Sequence, residues 1–368
     1  MATCGHDCRC MEALEEGGAR AVAVRATVPT VTPALTRRFG AAGEDDVVVV
    51  PAERIAELGA FLDGLSGLER ASMRATVVRP DGTFDPWTAG PAEQVLRRVE
   101  TPWFPGLMAA RALRFEFQPI VDPEAGVVHG NEALVRSALP DRTLSPADLI
   151  EAARAHDALL QFDQMCRTAA ITQGAPAMLG GGEGRLFVNF MPLTIYDPVV
   201  CLRTTFAAAD AVGIPVTRLV FEVVESEQFP HIDHLRAILE AYREQGAGVA
   251  LDDVGSGNTA IRYIDELEPD YVKLDRELLR RAVETGEGSM YEGLVGHCRA
   301  LGIRVIAEGL ETAEELAYCR ELGVDLVQGY LVGRPAAEPR TERVELGGGN
   351  APGAASEDGG APLRRRAA

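Results

Sequence analysis

Residues 112 to 338 repeat one alternation. Short apolar, β-branched runs recur as FEFQPIV, LFVNF, LVFEVVE, GVALDDV, YVKLD, RVIAEGL and LVQGY. Longer stretches of helical periodicity separate them: SPADLIEAARAHDALLQFDQMCRTAAI, DHLRAILEAYREQG, YEGLVGHCRALGI and TAEELAYCRELGV. Strand and helix alternating this often call for a parallel sheet, since each helical crossover carries the chain back to the same sheet end. A stretch of roughly 230 residues of such units fits a (β/α) barrel. One junction breaks the rule. FEFQPIV and GVVHGNEALVR are joined only by the turn DPEAG, whereas a parallel crossover needs about a dozen residues or more. The expected fold is α/β: a modified TIM (β/α)8 barrel with one antiparallel strand.

The polar residues fall at the strand ends. Glu132 sits in NEALVR, Asn189 late in LFVNF and Glu222 in LVFEVVE; Asp252 and Asp253 close VALDD. Lys273 lies in YVKLD, Glu308 in VIAEG and Gln328 in LVQGY. The carboxyl ends of barrel strands ring one mouth, so these residues, distant in sequence, should converge there. Any one of them reads as a solvated strand end; seven on successive strands do not. Glu132, Asn189, Glu222 and Asp252 offer oxygen ligands only, which suit hard cations such as Mg²⁺ or Mn²⁺. Zinc would recruit His or Cys, and no barrel histidine stands at a strand end. Adjacent carboxylates repel and are costly to desolvate. Asp252 and Asp253 make sense together if they serve two neighbouring cations, the arrangement suited to displacement at phosphorus.

Composition limits the partners. The net charge of -19 leaves no basic stripe for DNA. No stretch is apolar and long enough to span a bilayer, and the N-terminus lacks a signal-peptide core, so the expected location is cytoplasmic. Cys166, Cys201, Cys298 and Cys319 are scattered through periodic segments and read as reduced thiols. Residues 1–11 hold the remaining cysteines as Cys4, His6, Cys8 and Cys10, donors that would suit zinc, an iron–sulfur cluster or copper; the alternative is a frayed terminus with free thiols. Residues 12–108 read as a small mixed α/β domain, with strands at 47–50 and 75–80 and a helix at 52–65, in the place of a regulatory module ahead of the barrel at 109–340. Residues 341–368, rich in Gly, Ala and Pro and ending in Arg364-Arg365-Arg366, read as a disordered tail. Trp87 and Trp103 are expected to pack rather than to stack on a ligand.

The motifs also match as an ordered set. Glu132-Ala133-Leu134 stands inside NEALVR. Around it come FQPIVD (117–122), FVNFMP (187–192), FEVVESE (221–227), LDDVGSGN (251–258), PDYVKLDRE (269–277), VIAEGLET (305–312) and VQGYLVGRP (327–335). In these the chain resembles the EAL domain, the cyclic di-GMP phosphodiesterase family. The resemblance implies hydrolysis of one phosphodiester of cyclic di-GMP to linear pGpG, which lowers the cellular level of this messenger, with two Mg²⁺ or Mn²⁺ ions per site. By motif position, Glu132, Asn189, Glu222 and Asp252 would hold the first metal. Asp253 and Glu308 would serve the second metal and the attacking water, and Lys273 would stand beside that water. Gln118, Leu134, Arg136, Glu311 and Gln328 would meet the substrate, Arg136 gripping a phosphate through its guanidinium fork. Glu225 would tie down the loop after Asp253, and the protein would be a homodimer.

Departures from the family pattern cluster in one loop. The family reads DDFGTGYSS where this chain has DDVGSGNTA, so Val254, Ser256, Asn258, Thr259 and Ala260 differ while both aspartates and both glycines remain. Ser137 replaces an aromatic after Arg136. Two other functions compete. A catalytically silent cyclic di-GMP receptor would be expected to have lost ligands, and here the set is intact. A glycosidase needs only two carboxylates, and it leaves Asn189, the aspartate pair and Lys273 without a role.

Overall fold

The computed structural model describes residues 21–79, 81–139, 144–179, 184–224, 232–255 and 260–346. Cys4, His6, Cys8, Cys10, Glu225, Ser256, Asn258, Thr259 and the tail from 347 lie outside these residues. The chain divides into two compact units, one of residues up to 112 with 139–162, the other of 113–138 with the chain from 163 onward.

The first unit is built on an antiparallel sheet of order β2-β1-β3-β4: β1 (Ala21–Ala26), β2 (Val48–Pro51), β3 (Met73–Val78) and β4 (Gly90–Pro91). Its helices are α1 (Thr32–Phe39), α2 (Ile55–Asp63), α3 (Gly67–Ala71), α4 (Ala92–Glu100), α5 (Phe104–Ala110) and α6 (Pro146–Ala155). Val22, Val24, Leu35, Val50, Leu58, Met73 and Leu96 share one core. Arg98 of α4 holds the end of α6, donating to Ala155 O at 2.8 Å and pairing with Asp157 at 2.7 Å. Trp87 departs from expectation: it is 96% exposed. Asp85 accepts from its backbone N–H at 3.0 Å, so the turn is held by the main chain and the ring is left in solvent.

The second unit is a closed eight-stranded barrel. Its strands are β5 (Leu113–Val121), β6 (Val128–Ser137), β7 (Arg185–Asn189), β8 (Leu219–Val224), β9 (Gly248–Val254), β10 (Tyr271–Leu274), β11 (Arg304–Ala307) and β12 (Leu326–Gln328). Helices α7 (Leu159–Leu179), α8 (Pro198–Cys201), α9 (Arg203–Val212), α10 (Ile232–Glu244), α11 (Ala260–Leu267), α12 (Arg276–Thr285), α13 (Ser289–Leu301) and α14 (Ala313–Leu322) lie between them. β5 runs antiparallel to both neighbours, β12 and β6, and every other barrel pair is parallel. The reversal is made in the DPEAG turn. Asp122 Oδ1 accepts from Glu124 N and Ala125 N at 2.8 and 2.7 Å, and Gly126 takes φ +67°, which only a residue without a Cβ adopts freely.

Strand register stacks the interior in layers. Ile120, Phe187, Val220, Ala250, Tyr271, Ile306 and Leu326 form one buried apolar cluster. Side chains two apart on a strand share a face, so two residues on along each parallel strand come Asn189, Glu222, Asp252, Lys273, Glu308 and Gln328. On the antiparallel β5 the count runs backward, from Ile120 to Gln118. On β6 the residue below Glu132 is Gly130, where a Cβ would stand 2.8 Å from the Phe187 ring. Phe187 fills that space. Two-residue offsets recur where Glu132 pairs with Phe187, Glu222 with Ala250, Lys273 with Ile306 and Gln328 with Ile120. Four such steps close the ring with the stagger of about eight residues that suits eight strands. The polar layer is thus lifted onto the carboxyl-end mouth by the same alternation that fills the core.

Candidate active site

Lys273 sits at the centre of the polar layer, 1% exposed. Its Nζ lies 2.9 Å from Asp252 Oδ1, 2.9 Å from Glu308 Oε1, 3.2 Å from Glu132 Oε2 and 3.6 Å from Glu222 Oε1. One ammonium cannot match four carboxyl groups, so the cluster holds more acid than its own cation can neutralise. Glu132 is the best supported of the four: Asn189 Nδ2 donates to its Oε1 at 2.9 Å and Gln328 Nε2 to its Oε2 at 2.7 Å. Gln328 Nε2 also reaches Gln118 Oε1 at 3.3 Å, and Gln118 Nε2 donates to Gly333 O at 3.2 Å. Glu222 is 0% exposed, and neither of its carboxylate oxygens finds a hydrogen-bond donor among the described residues; the same is true of Asp252 Oδ1, close to Lys273 but not aligned with it.

The ionisation follows from this crowding. Burial alone would raise Glu132, but Lys273 and the two amides outweigh it and hold its carboxyl below the usual range. Burial, reinforced by the charges of Glu132, Asp252 and Glu308, pushes Glu222 well up. Burial also pushes Glu308 well up, helped by Asp252 and Glu132. Lys273 rises too, because the surrounding carboxylates outweigh its own desolvation. Asp253 is lifted to about 6 by burial and then by Asp252.

The adjacent aspartates reach one mouth through a break in register. Leu251 pairs with Val272 and Val254 with Leu274, so Asp252 and Asp253 together face the single residue Lys273. Asp253 takes φ +56°, in the left-handed region that Asp tolerates better than most residues. The bulge turns Asp253 back towards the side that Asp252 occupies, where strict alternation would send it away. Two donor groups result: Glu132, Glu222 and Asp252 in one, Asp252, Asp253 and Glu308 in the other, each with carboxylate oxygens within 4.8 Å of one another. Asp252 is common to both. All donors are oxygen, and several buried oxygens have no hydrogen-bond donor among the described residues, so the residues fit a pair of hard divalent cations.

A cavity of about 320 Å³ opens above them, lined by Gln118, Glu132, Leu134, Asp252, Lys273, Arg276, Glu308, Gly309, Glu311, Gln328, Gly329 and Tyr330. Sequence reasoning passed over Arg276 and Tyr330. Arg276 pairs with Glu311 at 2.6 Å (Nη2–Oε2), and its stem packs over Gly309. The signal available was position: Arg276 directly follows the strand run YVKLD, and Tyr330 follows Gln328 by two. Arg136 is placed differently from these lining residues: it pairs with Glu116 at 2.9 Å and donates to Val135 O at 2.9 Å.

The family model described as EAL domain matches residues 104–335. The cyclic di-GMP phosphodiesterase NbdA of Pseudomonas aeruginosa is 31% identical over 226 residues, 61% of this chain and 29% of NbdA, so the chain spans less than a third of that relative's length. The crystal structure of a standalone versatile EAL protein from Vibrio cholerae O395, in its c-di-GMP-bound form, is 32% identical with a TM-score of 0.57, covering 62% of this chain and 94% of that one. The PaMucR phosphodiesterase in its c-di-GMP complex is 25% identical with a TM-score of 0.58, covering 64% and 96%.

Proposed function

The chain belongs to the EAL domain family, and from that premise we propose that its barrel hydrolyses one phosphodiester of cyclic di-GMP to linear pGpG in a metal-dependent reaction. The observation that carries the reading is the pair of carboxylate groups joined at Asp252, with Lys273 Nζ within 3.6 Å of Glu132, Glu222, Asp252 and Glu308. A site that had fallen silent would have no reason to keep the Glu222 carboxyl buried among other carboxylates with no hydrogen-bond donor to either oxygen among the described residues.

Glu132, Asn189, Glu222 and Asp252 would hold one cation, and Asp252, Asp253 and Glu308 the other, Mg²⁺ or Mn²⁺ by donor type. When bound, such cations supply Lewis-acid activation of a water and neutralise charge at phosphorus. The remaining work belongs to the chain. Lys273, held protonated by its carboxylates, keeps a fixed positive charge beside the reacting phosphate. Gln118 and Gln328 present amides at the cavity edge, and Leu134 gives an apolar wall. Glu311 orients Arg276, which lines the cavity and whose guanidinium can meet a phosphate as a fork; Arg136 is the second arginine for that task. The same reading gives a homodimer that works in the cytoplasm and binds no DNA, with residues 12–108 as a regulatory module. Among the described residues no helix is long and apolar enough to cross a membrane.

The test is incubation of the full chain with cyclic di-GMP and Mg²⁺ or Mn²⁺, followed by chromatography, beside a Glu132→Ala control. pGpG from the wild type alone is expected. Tight binding with no product from the wild type would mark a receptor instead.

A further inference from the structure

A buried charged network lies behind β7 and β8 that the proposed chemistry does not use. Asp163 and Arg167, one turn apart on α7, are 2% and 0% exposed, and pair at 2.9 Å (Oδ2–Nη2). Arg167 Nη1 also donates to Thr205 Oγ1 at 2.9 Å and to Tyr242 OH at 3.4 Å. Arg167 Nε has no hydrogen-bond partner among the described residues. Such a pair adds little net stability, because desolvating both charges costs about what their attraction returns. What the pair does hold is the loop leaving β7. Met191 N donates to Asp163 Oδ1 at 2.9 Å, and Thr194 Oγ1 donates to Asp163 Oδ2 at 2.8 Å. Met191 stands two residues after Asn189.

Tyr242 makes a second connection. Its ring stacks on Phe221 at 3.9 Å between centroids and meets Phe190 edge-on at 5.2 Å. Phe190 follows Asn189, and Phe221 precedes Glu222. Neighbours along a strand face opposite ways. The two rings packed outside against Tyr242 therefore fix the orientation of the two donors that turn into the mouth.

We propose that Asp163, Arg167 and Tyr242 form a positioning device that sets Asn189 and Glu222 for the metal. The inference rests on the reading of the mouth as a metal centre. It is tested on the full chain by replacing the ion pair with apolar residues of similar size, Asp163→Leu with Arg167→Met. Replacement of both partners is typically neutral or stabilising for a fold. Here, however, the swap also takes the acceptor from Met191 N and Thr194 Oγ1 and the donor from Thr205 and Tyr242, so the melting temperature in EDTA should fall while the variant stays folded. Its Mn²⁺ dissociation constant by calorimetry should rise about tenfold, as for lost outer support of a ligand, and excess Mn²⁺ should restore much of kcat. If the double variant fails to fold, Thr194→Val and Tyr242→Phe, which each remove one hydroxyl, should separately weaken Mn²⁺ binding. Folded variants that bind Mn²⁺ as tightly as the wild type would overturn the inference alone. A wild type that takes up no Mn²⁺ would overturn the metal reading and this inference with it.

Discussion

The two ends of the barrel bury charge in opposite ways. At the amino-end floor, buried polar groups are matched. His129 Nε2 meets Tyr271 OH at 3.0 Å, and the Arg304 guanidinium lies 5.7 Å over the Tyr271 ring. Asp270, just before β10, accepts from Val249 N at 2.9 Å; Asp325, just before β12, accepts from Val305 N at 2.9 Å. In each case an aspartate ahead of one strand ties down the backbone of its neighbour. Arg185 Nε is the floor's unmatched atom among the described residues. At the mouth, four carboxylates crowd one ammonium, and neither Glu222 carboxylate oxygen has a hydrogen-bond donor among the described residues. A floor built this way serves stability. A mouth built this way is a deficit that cations would fill, and a barrel that concentrates function at its carboxyl end can bear that deficit.

Substitutions should separate the ends. The largest effect is expected at Glu132, which Asn189, Gln328 and Lys273 all contact. Glu132→Ala should cut hydrolysis by about 10³-fold or more, the scale of a lost metal contact worth several kcal/mol. Its melting temperature in EDTA should stay near that of the wild type, because Lys273 keeps three other carboxylates. Hydrolysis at the wild-type rate would break the contrast between the ends.

Glu222→Gln sharpens the contrast. The neutral amide removes the charge that burial disfavours, so the metal-free protein should melt higher, by about 2–4 °C for each kcal/mol regained. Mn²⁺ affinity should fall about tenfold or more at the same time. A variant that melts lower in EDTA would mean that Glu222 stabilises the fold, and the mouth would then resemble the floor.

Next comes Arg276. It lines the cavity, and its ion pair among the described residues is to Glu311. Arg276→Ala should raise KM for cyclic di-GMP by about tenfold, the worth of one exposed charged contact at roughly 1.4 kcal/mol, with kcat little changed. A loss confined to kcat would place Arg276 with the metal centre instead.

Much of this contrast is visible in the residues before any fold is known. Asn189, Glu222, Asp252, Lys273, Glu308 and Gln328 are legible because each lies two residues beyond an apolar residue in a β-branched run, and the one antiparallel strand because DPEAG is too short for a crossover. Other features are not. The bulge at Asp253 depends on its pairing with β10, which local sequence does not encode. Asp163 and Arg167 follow ordinary helical spacing, and only packing reveals that they face inward. β1, AVAVRA, is half alanine and has a weak strand signature, so its existence rests on pairing with β2 and β3. Trp87 illustrates the reverse: an aromatic residue suggests burial, yet a turn tied by its backbone leaves the ring outside.

The smallest effect belongs to the floor. Burial, then the nearby charges of Arg304 and Arg185, hold His129 down to about 2, against its ordinary 6.5. As pH falls, the unfolded chain therefore takes up this proton long before the folded one does. The stability that neutral His129 contributes is complete above about pH 6.5 and is lost progressively as pH drops from there towards about 2. One proton sets an upper slope of about 1.4 kcal/mol per pH unit, and partial solvent contact reduces it to about 1. His129→Gln keeps an amide that can reach the Tyr271 hydroxyl but does not titrate. Between about pH 6.5 and pH 5 the wild type should lose melting temperature faster than His129→Gln, with parallel curves above pH 7. Hydrolysis at neutral pH should be the same in both. Equal slopes would show that His129 is not held neutral. A fall in kcat from a residue at the floor would show that the barrel's ends are coupled, and that its stability and its chemistry cannot be assigned to separate layers.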